Sequence, residues 1–119
     1  MEDTVEKSLD RILEISPSVR YAAIYRSGML ASRQREWISA ASAAESDRFE
    51  ELLVNPILLA LVTQRGDIDC GGAKWVIVRY GNFYQIVAKI DSGHVSVCVD
   101  PAGDVLSLVH PILATLDAN

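Results

Sequence analysis

The sequence predicts an α+β fold in the order helix, two strands, helix, three strands, helix. The five strands are expected to form one sheet with helices on both faces. Three observations carry that expectation. Residues 73–99 hold three β-rich runs in close succession, broken only by Gly81-Asn82 and by Asp91-Ser92-Gly93, the pattern of an antiparallel meander. From Pro101 the period changes: Val105, Val109, Ile112 and Leu116 recur at spacings of four, three and four, the stripe of an amphipathic helix. The strands also carry apolar residues on both sides. In the fourth, Tyr84, Ile86, Ala88 and Ile90 face one way while Phe83 and Val87 face the other, so both faces of the sheet need cover.

The first helix is expected over residues 4–15. Val5, Leu9, Ile12 and Leu13 fall on one face and charged residues on the other, and Ser16-Pro17-Ser18 stops it. Residues 19–26 read as the first strand, and Ser27-Gly28 turns the chain. Residues 29–36 return as a second strand, whose polar Arg33-Gln34-Arg35 run suits a charge-protected edge. Residues 37–44 form an Ala/Ser-rich connector, and Ser42 with Glu45 has capping-box spacing. An apolar stripe then begins at Phe49, Leu52 and Leu53 and continues through residues 57–62. Pro56 lacks a backbone donor, so it should kink this helix or divide it, with Asn55 as a new N-cap. Gly66 is expected to end it, and residues 67–72 to form a polar loop. Gly81 as the first residue of a two-residue loop suits a type II′ turn between the third and fourth strands.

With 119 residues, 50% of them hydrophobic and 23% charged, the chain suits a single globular domain over residues 1–119. A net charge of −5 argues against nucleic-acid binding, which needs a clustered positive field. No apolar run reaches the roughly eighteen residues of a membrane span, and the first residues, Met-Glu-Asp-Thr, are acidic rather than signal-like. No membrane insertion and a cytoplasmic location are therefore expected.

No catalytic constellation stands out, and no enzyme activity is expected. The two histidines, His94 and His110, have no Cys, Asp, Glu or His at metal-ligand spacing, so both read as ordinary polar positions. No serine lies in a nucleophile-elbow context. Gly71-Gly72 precedes a strand, whereas a phosphate loop follows one and opens a helix. Cys98, between Val97 and Val99, reads as a buried inert thiol, and Cys70 as a loop cysteine without an activating neighbour. Arg26, Arg33 and Arg35 place positive charge on the first hairpin. Solvated edge protection is the plain reading, and a docking patch for an acidic partner the sharper one. The apolar strand beginning Trp75-Val76-Ile77-Val78, if at a sheet edge, needs a covering chain, as does a second helix apolar on more than one face.

With this element order, the chain resembles the roadblock/dynein light chain family over nearly its whole length, from the first helix to Leu116. The resemblance is carried by residues 19–28 as the first hairpin arm and 73–99 as the meander. It implies a roadblock/profilin-like α-β-β-α-β-β-β-α fold with a five-stranded antiparallel sheet, and a non-enzymatic module without a cofactor. Pro56 in the second helix and Pro111 in the last depart from the family's uninterrupted helices. Family members homodimerise by pairing the first meander strand across a two-fold axis, with the second helices side by side. Carried onto this sequence, the pairing strand is Lys74, Trp75, Val76, Ile77, Val78, Arg79 and Tyr80, and the helical contact comes from Phe49, Leu52, Leu53 and Ile57. Family members regulate or scaffold small GTPases or adapt cargo to motors, so the implied partners are a second copy and a small GTPase. The alternative reading is a small-ligand sensor domain with a pocket between sheet and helices, near Tyr21, Tyr25 and Tyr84.

Overall fold

The first helix, α1 (Glu2–Ile15), buries Leu9 and Ile12 completely, and Pro17 prevents its continuation. The structure is a computed structural model and describes residues 2–35 and 44–117. The expected connector and the Ser42 cap lie outside the described residues, as does Glu36 at the end of the second predicted strand. Strand β1 (Val19–Arg26) turns into β2 (Met29–Gln34) through Ser27 and Gly28, both at positive φ (53° and 85°), the pairing a tight two-residue hairpin requires.

The next helical stretch differs from expectation in an instructive way. Helix α2 (Ala44–Phe49), a π-helical turn (Glu50–Val54) and α3 (Asn55–Asp69) follow one another without a break in helical backbone. The Asn55 N–H donates to the carbonyl of Glu50, five residues back. Pro56 therefore neither divides the helix nor makes Asn55 a cap: Val54 holds the N-cap position of α3 and Asn55 is itself helical. A widened turn is where a proline ring and its missing donor are tolerated inside a helix. Gly66 does not end α3 either. An added Cβ there would lie 2.7 Å from the carbonyl carbon of Gly72, so Gly66 lets the departing chain fold back against the helix. Its carbonyl accepts the N–H groups of Cys70 and Gly72, both at 3.0 Å.

Strands β3 (Trp75–Arg79), β4 (Tyr84–Ile90) and β5 (Gly93–Val99) complete the sheet, and α4 (Val105–Asp117) closes the fold. Gly81 does not take the positive φ of the expected type II′ turn. The connection itself spans Gly81-Asn82 as expected, closed by Tyr80 N–H donating to the Phe83 carbonyl at 2.9 Å. Pro111 sits inside α4 without interrupting it.

All four strand pairs are antiparallel, in the order β2-β1-β5-β4-β3. The two strands that flank the second helical stretch in sequence are thus the two opposite edges, so that stretch has to cross a face of the sheet. The other face carries α1 and α4. There Leu9 and Ile12 meet Ala22, Ile24, Val95, Val97, Ile86 and the stripe Val105, Leu108, Val109 and Ile112. Each fully buried aliphatic contributes about 1.5–3 kcal/mol of transfer free energy, which makes this layer the main source of stability. An irregularity between Val19 and Tyr21 leaves Arg20 as the extra residue of β1, and brings Tyr21 onto the α3 face opposite Cys98.

Candidate interaction surface and the buried network beneath it

On the α3 face, β5 presents His94, Ser96 and Cys98, all buried, while the alternating Val95, Val97 and Val99 face α1 and α4. A histidine and a serine under a helix need partners, and the π-helical turn supplies one. Glu51 is fully buried at the centre of this face. Its Oε1 accepts from Asn55 Nδ2 at 3.0 Å and lies 2.8 Å from His94 Nε2. Its Oε2 accepts from Tyr21 Oη at 3.1 Å and Ser96 Oγ at 2.5 Å. Four groups converge on two oxygens, which matches the acceptor capacity of a carboxylate. Tyr25 stacks beside His94 with ring centroids 5.7 Å apart. Burial, reinforced by Glu51, pushes the Tyr21 phenol well above its ordinary range, so it remains a donor. Burial likewise raises the Cys98 thiol, in keeping with an inert core cysteine.

His94, read from the sequence as an ordinary polar position, is 2% exposed and engaged by Glu51. His110, by contrast, is exposed on α4. Sealed from solvent, Glu51 pins the π turn to β1 and β5. Among the described residues, no group of three or more His, Cys, Asp or Glu side chains could hold a metal ion. Sequence reading passed over Glu51 and Ser96 and took Asn55 for a helix cap. The available signal was β5 itself, a strand with apolar residues on one side and His94 and Ser96 on the other.

Above the network the helical stretch is largely open. Phe49 is 58% exposed, Leu53 45%, Ile57 51% and Leu61 61%, an apolar stripe at successive spacings of four, with Leu52 beside it. Of this helical stretch's leucines, Leu59 alone is buried, where α3 meets the sheet chiefly over β4 and β5. Strand β3 is an edge: it pairs with β4, and among the described residues nothing pairs with its other side. Trp75 and Ile77 pack toward the α4 side, and Val76 and Val78 alternate onto the α3 side, half-buried. Arg79 places its guanidinium 4.9 Å from the Tyr84 ring centroid. Tyr80 Oη reaches the two carboxylate oxygens of Glu50 at 3.1 and 2.9 Å, which ties the open helix to the open strand. Burial and this bond raise the Tyr80 phenol to about 12. Lys74 is exposed at the start of the strand.

The three hairpin arginines have separate surroundings. Arg33 pairs with Glu6 and Asp10 of α1. Arg35 donates to the carbonyls of Leu13, Ser16 and Val19. Arg26 lies at the far end of β1, against a groove beside α4. The tyrosines expected to line one cavity are also separated, since Tyr84 packs on the α4 face while Tyr21 and Tyr25 lie on the other. Among the described residues, no helix is long and apolar enough to cross a membrane.

No family model matches this sequence, and no curated protein matches it. Solved structures do match. The chain is similar to a Roadblock/LC7 domain from Streptomyces avermitilis at a TM-score of 0.70 and 15% identity, over 94% of this chain and 91% of that one. It is similar to MglC from Myxococcus xanthus at 0.63 and 9%, over 94% and 92%. A third similar structure, MglB with a tetrameric arrangement, gives 0.65 and 16%, over 93% and 82%. The chain is a roadblock-fold protein, with the α+β architecture and five-stranded antiparallel sheet of that fold.

Proposed function

We propose that this protein is a non-enzymatic homodimeric module that scaffolds or regulates a small GTPase-like partner. The observation that supports it best is the coincidence of two uncovered surfaces joined by one contact: the free edge of β3 and the apolar stripe of α2 and α3, linked through Tyr80 and Glu50. An apolar edge strand without proline invites pairing with another strand, and an apolar helical stripe invites burial. A second copy would satisfy both at once through Lys74, Trp75, Val76, Ile77, Val78, Arg79 and Tyr80 on the strand and Phe49, Leu52, Leu53 and Ile57 on the helix. The likeness to an MglB described in a tetrameric arrangement favours self-association. The GTPase-like partner follows from the resemblance to the roadblock/dynein light chain family.

Light scattering after size exclusion, across a range of concentrations, tests the dimer. The wild-type chain should run at twice 13.0 kDa. Val78→Pro, which removes a strand donor, or Val76→Asp should give monomers or aggregates. A Val76→Asp chain that folds normally and keeps the dimer mass rules out the shared-sheet arrangement. Co-elution with a purified small GTPase, loaded in turn with GDP and a GTP analogue, tests the partner separately.

A further inference from the structure

We propose that the groove between the β3–β4 end of the sheet and the C-terminal half of α4 binds a small organic anion with an apolar body, such as a medium-chain carboxylate. The groove is an open depression of about 700 Å³, within the ~300–1,000 Å³ range of small-molecule sites. Its walls are Trp75, Ile90, Leu113 and Leu116. The strand register sets Arg26 and Ile90 at its edge. Arg26, Gly93 and Ile90 stand in one row across β1, β5 and β4, and the middle position carries no side chain. An added Cβ at Gly93 would fall 1.6 Å from the Tyr25 carbonyl oxygen, so this position has to stay glycine.

The charge around those apolar walls runs against the charge of the chain. The protein carries a net −5, yet Arg26, Lys74 and Lys89, three of its eleven Lys and Arg residues, converge on this groove. Asp91 is the one carboxylate that lines it, and none of the three cations forms an ion pair among the described residues. Arg26 Nε is buried and has no hydrogen-bond partner among the described residues. A buried donor left unmade is costly, and a guanidinium keeps its charge at any physiological pH. A carboxylate in the groove would meet the charge of Arg26, Lys89 and Lys74. An alkyl chain would then lie along Trp75 and the two leucines. Every lining residue comes from one chain. Lys74 and Trp75 also belong to the strand of the proposed dimer contact, so the groove adjoins that contact, with Trp75 facing the side of the sheet opposite the α3 stripe.

Titration of the full ¹⁵N-labelled chain with decanoate tests this, with decanol and acetate as controls. Decanoate should shift the backbone amides of residues 26, 75, 90 and 113–116 in a saturable way. Decanol should bind at least about tenfold more weakly, because charge-assisted bonds to the rim are lost, and acetate should give no saturable shift. Lys89→Ala and Arg26→Met should each weaken decanoate several-fold; Lys89 is exposed, so its variant keeps the fold whatever happens at Arg26. The proposal is overturned if decanol binds as tightly as decanoate, or if the saturable shifts map to residues 49–61. Indifference of decanoate affinity to the Lys89 variant would overturn it too.

Discussion

His94 Nε2 lies 2.8 Å from Glu51 Oε1, and both side chains are sealed from solvent between β5 and the π-helical turn. Forty-three positions apart in the chain, the two residues hold the second helical stretch at a fixed place over the sheet. Such a pin matters here because that stretch has little apolar anchorage of its own. Among the described residues Leu59 is its single buried hydrophobic side chain, and most of its other large ones face outward.

Removal of the acceptor should therefore be severe. Glu51→Ala leaves the groups on Tyr21, Asn55, His94 and Ser96 without their shared partner, and a loss of about 3–5 kcal/mol in urea unfolding is expected. Glu51→Gln, which keeps one carbonyl acceptor, should lose less. A Glu51→Ala chain within about 1 kcal/mol of wild type would show that the network does not hold the helix.

Asp47 sets a pH dependence. Burial first, and the nearby Glu51 second, push its carboxyl above the ordinary carboxylate range. A raised folded-state pKa means that folding favours the protonated form. Its contribution is present at low pH and is lost as pH rises from the unfolded value of about 3.9 through the higher folded one. Asp47→Asn removes that loss. Its melting temperature should exceed wild type at pH 7 and converge with it near pH 4; equal melting temperatures at pH 7 would contradict the assignment.

Gly66→Ala sets two effects against each other. Alanine is about 1 kcal/mol better than glycine inside a helix. Its Cβ, however, would sit 2.7 Å from the Gly72 carbonyl carbon and 2.9 Å from the Gly72 oxygen, and backbone does not yield as a side chain does. Overpacking of about 1–3 kcal/mol should win, and thermal melting should show a net loss. A gain in melting temperature would mean that the loop after α3 relaxes freely.

The two cysteines should separate cleanly under a thiol reagent. Cys70 is exposed, whereas Cys98 is buried with its thiol pushed up by desolvation. One equivalent should react in the native protein and both in denaturant. Fast reaction of both in native buffer would mean that β5 is open to solvent.

On the proposed dimer face, Leu53→Asp and Ile57→Asp change residues that are half exposed in the single chain, 45% and 51%. Each should leave the circular dichroism of the folded chain in place and raise the dimer dissociation constant at least about tenfold, as central interface truncations do. Unchanged mass at micromolar concentration would remove the helical stripe from the interface.

Much of the architecture was legible before the structure, for reasons visible residue by residue. Val95, Val97 and Val99 alternate, Leu9 and Ile12 share a helical face, and Ser27-Gly28 supplies the positive φ of a tight turn. Pro56 misled where it was read as able to divide the helix with Asn55 as a cap, because a proline rule judges a helix in isolation. A π turn accommodates it, while Pro111 sits inside α4 as expected, with Val109 and Ile112 buried against the sheet. Glu50 and Glu51 show the limit most plainly. They are identical neighbours, yet one reaches outward to Tyr80 and the other is the buried centre of the α3 face.

What the sequence determined by itself is the set of elements and the face each turns to the core, because those depend on periodicity and turn chemistry within a few residues. Only the tertiary structure decided that β2 and β3 are opposite edges, that Glu51 meets His94, and that Arg26 and Leu116 line one groove. Each of these depends on strand order and register, which bring distant residues together. Such contacts are selected by the summed burial of all the elements rather than by any local pattern.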